Sequence, residues 1–117
     1  MIESDLVTHL KADAAITALV GNRISPLKAE QNVAKPYITY QVILDYSNQC
    51  LGGGVYANST RFQIDCWSEK YSEVKAIKTA VINALIGFKS SNNITVMDDY
   101  EADTELYRQI IDFKLKD

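Results

Sequence analysis

The one histidine of the chain, His9, has Asp5 four residues before it and Asp13 four residues after it. On a helix these three positions share a face, and two carboxylates with an imidazole form a donor set that divalent cations accept. The same spacing arises on any polar helix surface, so we read it as a solvated face with ordinary i,i+4 pairing. The run Asp98, Asp99, Glu101, Asp103 and Glu105 is denser in carboxylate. Hard cations favour oxygen clusters, and paired carboxylates do acid–base work. The run lacks the glycine and terminal-glutamate spacing of an EF-hand loop. It reads as a solvated hairpin bend.

Gly52-Gly53-Gly54 is followed by no Lys-Ser/Thr and by a strand pattern instead of a helix, so it reads as a hairpin tip and not as a phosphate cradle. Cys66 alternates with Phe62 and Ile64, which places it in a core as an inert thiol. Cys50 lies in a loop with no basic helper nearby in sequence. No nucleophile–base pair emerges. No metal, no cofactor and no catalysis are expected.

These residues sit in a chain of 117 residues with 12 Lys+Arg against 15 Asp+Glu, a net charge of −3. That length suits one domain, residues 1–117, with a radius of gyration of about 13 Å if compact. At 47% apolar and 23% charged residues, the composition is that of a soluble globule and not of a disordered chain. The longest apolar stretch, near Ala14–Val20, falls well short of the ~20 residues that span a bilayer, so no membrane partner is expected. The acidic start Met1-Ile2-Glu3-Ser4-Asp5 lacks the plan of a secretory signal. A pI near 5.1 argues against broad phosphate-backbone binding, so no specific nucleic-acid partner is expected. Two cysteines without a CxxC motif read as free thiols in a reducing cytoplasm.

The elements that must position these groups follow from periodicity. Leu6, Leu10, Ala14 and Leu19, widened by Ile16 and Val20, predict a helix over about Glu3–Val20, with Asp13 able to cap a second segment and Gly21 to stop it. Ile24–Ala29 reads as a short strand interrupted by Pro26, which suits a sheet edge. Alternation predicts strands over Tyr37–Tyr46 and Ser59–Trp67, joined by a Ser47–Asn58 loop. Ser68 is placed to cap a helix over about Glu69–Phe88, whose stripe is Val74, Ile77, Val81, Ala84, Leu85 and Phe88. A strand opens at Ile94–Met97, an acidic bend follows, and Glu105–Lys116 alternates to the end. The order α-β-β-β-α-β-β predicts an α+β fold: an antiparallel or mixed sheet of about five strands with two helices on one face.

The other face of that sheet is not uniformly polar. It carries Tyr37, Ile43, Trp67 and Ile110 among Thr39, Gln41, Arg61, Gln63, Asp65 and Arg108. Scattered exposed apolar groups are ordinary; aromatic residues with arginine are also what protein–protein interfaces enrich. Leu51, Val55 and Tyr56 give the hairpin loop an apolar content unusual for a solvated tip. These seven residues are the candidate interface.

The stretch LKADAAITALVGNRI from Leu10 to Ile24 resembles the opening helix and turn of tail-completion proteins, the tail-terminator-like proteins of long-tailed phages and prophages. Lys35-Pro36-Tyr37-Ile38-Thr39-Tyr40-Gln41-Val42 resembles that family's proline-aromatic approach to its first long strand. Arg61-Phe62-Gln63-Ile64-Asp65-Cys66-Trp67-Ser68, with Tyr71-Ser72-Glu73-Val74 opening a helix, is similar to its strand-to-helix passage. The resemblance implies a structural protein of the virion tail, assembled in the host cytoplasm. It implies a hexameric ring that closes the tail tube and offers a surface to the head-side connector. Its partners would be further copies of itself, the tail-tube protein and the connector. The Cys66-Trp67 pair and the glycine run are not matched to the family. A different head–tail connector subunit, or a small-molecule-binding regulatory α+β domain, would share the composition.

Overall fold

The computed structural model of the protein describes residues 2–29, 33–49, 55–89 and 91–116. The elements run α1 (Ile2–Ala12), α2 (Ala14–Val20), β1 (Ile24–Pro26), β2 (Tyr37–Gln49), β3 (Val55–Ser68), α3 (Tyr71–Leu85), β4 (Asn92–Glu101) and β5 (Leu106–Lys116). The sheet order is β1-β2-β3-β5-β4, with β1 parallel to β2 and every other pair antiparallel. This is the expected α+β architecture, with three helices where two were expected.

The extra helix comes from Asp13. Its backbone is extended (φ −78°, ψ 120°), and its carboxylate accepts the Ile16 N–H at 3.0 Å, so the first helix ends and a new one is capped. Gly21, at φ 61°, then ends α2 with its N–H on the Thr17 carbonyl. Leu6, Leu10, Ile16 and Val20 are fully buried and join Val74, Ile77, Val81 and Leu85 of α3 over one sheet face. That face supplies Ile38, Phe62, Ile64, Cys66, Ile111, Phe113 and Leu115. Burial pushes the Cys66 thiol far above its ordinary range, so it is protonated and unreactive near neutral pH.

His9 departs from the solvated reading. It is half-buried, its ring stacks on Phe88 at 4.1 Å between centroids, and Nε2 lies 2.6 Å from the Ala84 carbonyl. A carbonyl only accepts, so this nitrogen carries the proton. His9 therefore ties α1 to the end of α3, where unpaired helix carbonyls need donors. Among the described residues, no group of three or more His, Cys, Asp or Glu side chains is placed to hold a metal.

Helix α3 is shorter than its periodicity suggests. Ser68 belongs to β3 and the cap position is Lys70, which makes no side-chain cap. Ser68 serves the same end from further back: its Oγ accepts the Lys70 N–H at 3.1 Å and donates to Glu73 at 2.6 Å. At the other end, Gly87 takes φ 81° and the Ser91 hydroxyl bonds the Leu85 and Phe88 carbonyls.

The two sheet edges differ. Strand β1 stops at Pro26, short of the expected Ala29, because Leu27 turns to φ 63° and Lys28 N–H bonds back to the Pro26 carbonyl at 2.6 Å. On the side away from β2, Ile24 N–H goes to the Asn22 carbonyl at 2.8 Å and Pro26 has no N–H. That edge is capped. At the other edge, β4 runs on through Asp98, Asp99 and Glu101, where a bend was expected. The bend comes later, at Ala102–Glu105.

Partners from other elements hold the acidic run extended. Asp98 accepts from Gln109 of the neighbouring strand, from Lys75 Nζ at 3.1 Å and from Tyr71 Oη at 2.9 Å. These donors, Gln109 first and then Lys75 and Tyr71, hold the Asp98 carboxyl down at about 2. A depressed carboxylate contributes stability above its unfolded value, near 3.8, that is lost as pH falls through its folded value. The stability gap between wild type and Asp98→Asn is therefore expected to be constant above pH ~4 and to close between about pH 4 and 2. Chemical denaturation across that range checks it; a gap that widens on acidification contradicts the assignment.

Beyond the body, β2 and β3 continue as an arm. Strand β3 pairs with β5 only as far as Ser59↔Lys116, and β2 pairs with β1 only at Ile38–Tyr40. Among the described residues, Ser47–Gln49 and Val55–Asn58 pair only with each other. The molecule measures 52 × 29 × 24 Å, and its radius of gyration of 15.1 Å exceeds the compact value of about 13 Å. Expected as parts of a loop, Ser47–Gln49 and Val55–Asn58 are a two-stranded ribbon instead. The Gly52-Gly53-Gly54 tip and Cys50 lie outside the described residues.

Candidate functional site

The sheet face away from the helices is built by register. Tyr37 stands opposite Trp67, Trp67 opposite Arg108, and Arg108 opposite Asp99. In the next row come Thr39, Asp65, Ile110 and Met97, and then Gln41, Gln63, Asp112 and Thr95. Period-2 alternation sends the partners of these residues into the core.

Two of the polar residues on this face are nevertheless buried: Asp65 is 6% exposed and Thr39 4%. Their cover is aromatic and cationic. The Trp67 indole donates to Thr39 Oγ at 3.0 Å, Tyr37 stacks on Trp67 at 6.0 Å, and the Arg108 guanidinium lies over the Trp67 ring at 4.9 Å. Beneath them, Asp65 accepts from Arg108 at 3.0 Å and from Gln63 at 3.0 and 3.2 Å. Arg108 also reaches Asp99 at 3.6 Å. Burial, and then the Glu101 carboxylate, push the Tyr37 phenol upward, so it stays a neutral donor and acceptor. A second pair, Arg61 with Asp112, is bidentate at 2.8 and 2.6 Å but exposed.

Of the seven residues singled out from sequence, Tyr37, Trp67 and Ile110 lie together, half-buried, on this face. Ile43 is exposed and sits where the register jumps between Val42 and Leu44, so it marks a bulge. The same jump sets Leu44 opposite Arg61, against the unbroken alternation expected there. Val55 and Tyr56 fall in strand β3, not in a loop, and Leu51 lies outside the described residues. Tyr37 and Trp67 thus do an internal job as well, shielding Asp65. What the sequence reading missed is the ion pair itself: Asp65 and Arg108 are 43 residues apart and meet only through β3–β5 register.

The crossover from β1 to β2 bounds a cavity of about 410 Å³ at one end of this face. Tyr37, Thr39 and Trp67 line it from the sheet, Leu27, Val33, Lys28 and Lys35 from the crossover, and Thr104 and Leu106 from the far side. Met97, exposed on β4, extends the apolar surface along the sheet edge.

The face offers area, aromatic rings and fixed charges. Comparison with curated proteins gives no match. Among solved structures, a chain described as belonging to the virion of a native gene transfer agent particle is similar at a TM-score of 0.71 and 20% identity, covering 95% of this chain and 90% of that one. At that identity the likeness is one of fold. The family model described as tail completion protein gp17 matches residues 4–115, so this chain belongs to that family, one of phage tail structural proteins and not of enzymes.

Proposed function

We propose that the protein caps the phage tail tube as a closed ring, a hexamer, and presents the surface to which the head-side connector joins. The observation that carries this reading is the family match over residues 4–115. In this reading the chain does no catalysis, works in the virion tail after assembly in the host cytoplasm, and meets copies of itself, the tail-tube protein and the connector. Closed rings need heterologous contacts, in which one patch meets a different patch on the neighbour. Tyr37, Ile43, Trp67 and Ile110 on the open face supply one such patch, and Leu51, Val55 and Tyr56 supply another.

Removing the protein from a host that makes the particles tests the role. Electron microscopy is expected to find tails unjoined to heads, with ends that are not closed. Intact particles in normal yield would overturn it. The arm's part is tested by Leu51→Ser with Tyr56→Ser: assembly is expected to weaken at least tenfold while circular dichroism stays unchanged. Unaltered assembly would remove the arm residues from the contact. The cavity beside Trp67 favours one rival reading, a small-molecule-binding domain, since its volume falls in the range of ligand pockets. A ligand-dependent rise in Tm, without any ring, would support that rival.

A further inference from the structure

The two edges of the sheet are not equivalent. Edge strands expose a row of backbone donors and acceptors that other chains can pair with, and native proteins block them. The β1 edge is blocked: Ile24 N–H and the Pro26 carbonyl are both taken locally, and Pro26 donates nothing. The β4 edge is long, and no described strand pairs with its outer side. Neither proline nor lysine interrupts it. Residues 95–100 are all exposed, with Met97 at 61% and Tyr100 at 49%.

Charge rules out one occupant. Two β4 strands paired parallel and in register would set Asp98, Asp99 and Glu101 against the same residues of the other copy, and like charges directly opposite destabilise a sheet. A suitable strand is neutral and arrives from elsewhere. The arm supplies such strands: neither Ser47–Gln49 nor Val55–Asn58 carries a charged residue. It is also incomplete, since a two-stranded ribbon is marginally stable alone. Both its outer edges lack a described partner over Ser47–Gln49 and Val55–Asn58.

We propose that the arm of one copy pairs along the β4 edge of the next, extending its sheet. This inference rests on the ring reading and assigns its contact. One surface of each copy gives and a different surface receives, which is the head-to-tail arrangement that closes rings. With the β1 edge capped, β4 is the end of the sheet left to receive the arm.

The test uses two variants that each disable one side. Met97→Lys, at the exposed edge, places a lysine where natural edges carry one. In the second variant an Asn-Gly turn replaces Ser47–Asn58, joining Tyr46 to Ser59, which already pair. Thr79→Lys, exposed on α3, controls for charge. Masses are read by light scattering up to several hundred micromolar, alone and with the tail-tube protein, with circular dichroism confirming each fold; Val96→Lys replaces Met97→Lys if the latter unfolds. Wild type and Thr79→Lys are expected to form the ring, and each disabled variant is expected to be monomeric. The two disabled variants mixed are expected to form a 1:1 dimer and nothing larger, because one intact arm and one intact edge remain between them. A ring from wild type together with a mixture that stays monomeric overturns the arm-to-edge contact and leaves the ring reading standing. So does a ring from either disabled variant. A wild type that never associates, alone or with the tail-tube protein, overturns the ring reading and this inference with it.

Discussion

Phe62→Ala is expected to lower the unfolding free energy by about 3–5 kcal/mol. Phe62 lies on β3, in the middle of the sheet order, is fully buried, and stacks on Phe113 at 5.7 Å between centroids. It faces the buried side chains of α3, so a truncated ring leaves a space that helix and sheet cannot both close. Domains of this kind are stable by about 5–15 kcal/mol, so the loss is a large share of the whole. At about 4 °C per kcal/mol for a chain of this size, Tm falls by about 12–20 °C. Thermal and urea denaturation read it directly. A cost below 1 kcal/mol would mean that the sheet–helix interface is not the core described here.

The second large effect concerns Asp65 and Arg108. Arg108→Met leaves Asp65 buried with only the Gln63 amide as a side-chain donor among the described residues, and is expected to cost about 3 kcal/mol. That is the low end for breaking a buried pair, because Arg108 keeps a quarter of its side chain in solvent. Asp65→Leu is expected to cost less, since Arg108 retains Asp99 at 3.6 Å. The double variant is expected to recover most of the loss, because replacing both members with apolar groups removes the uncompensated charge. A double-mutant cycle in urea checks the sign. Additive single losses would show that the two side chains do not act as a pair.

Much of the fold was legible because its signals are local. Phe62, Ile64 and Cys66 alternate with Arg61, Gln63 and Asp65, and all six keep the faces that period 2 assigns. Val74, Ile77, Val81, Ala84 and Leu85 are buried as a 3.6-residue stripe predicts. The capping role of Asp13 was also readable, although only its backbone geometry shows that the helix breaks there.

The misreadings have non-local causes. Nothing within residues 98–105 says that Asp98 will find Gln109, Lys75 and Tyr71, so a strand passes for a solvated bend. His9 passes for a surface residue because its partners, Ala84 and Phe88, lie on another helix. The arm is rich in Ser, Asn and Gln, which favour turns; it is a strand through pairing, not through propensity. At Ile43 one extra residue reverses the alternation, and a bulge has no sequence mark of its own. The candidate face was legible as composition, whereas its buried ion pair and cavity required the register.

The measurement that bears most directly on the central claim is the solution mass of the wild-type chain across a concentration series, alone and with the tail-tube protein. A closed, ring-sized species is expected in at least one of the two conditions, with tube protein bound at its open end. A strict monomer in both would contradict the ring.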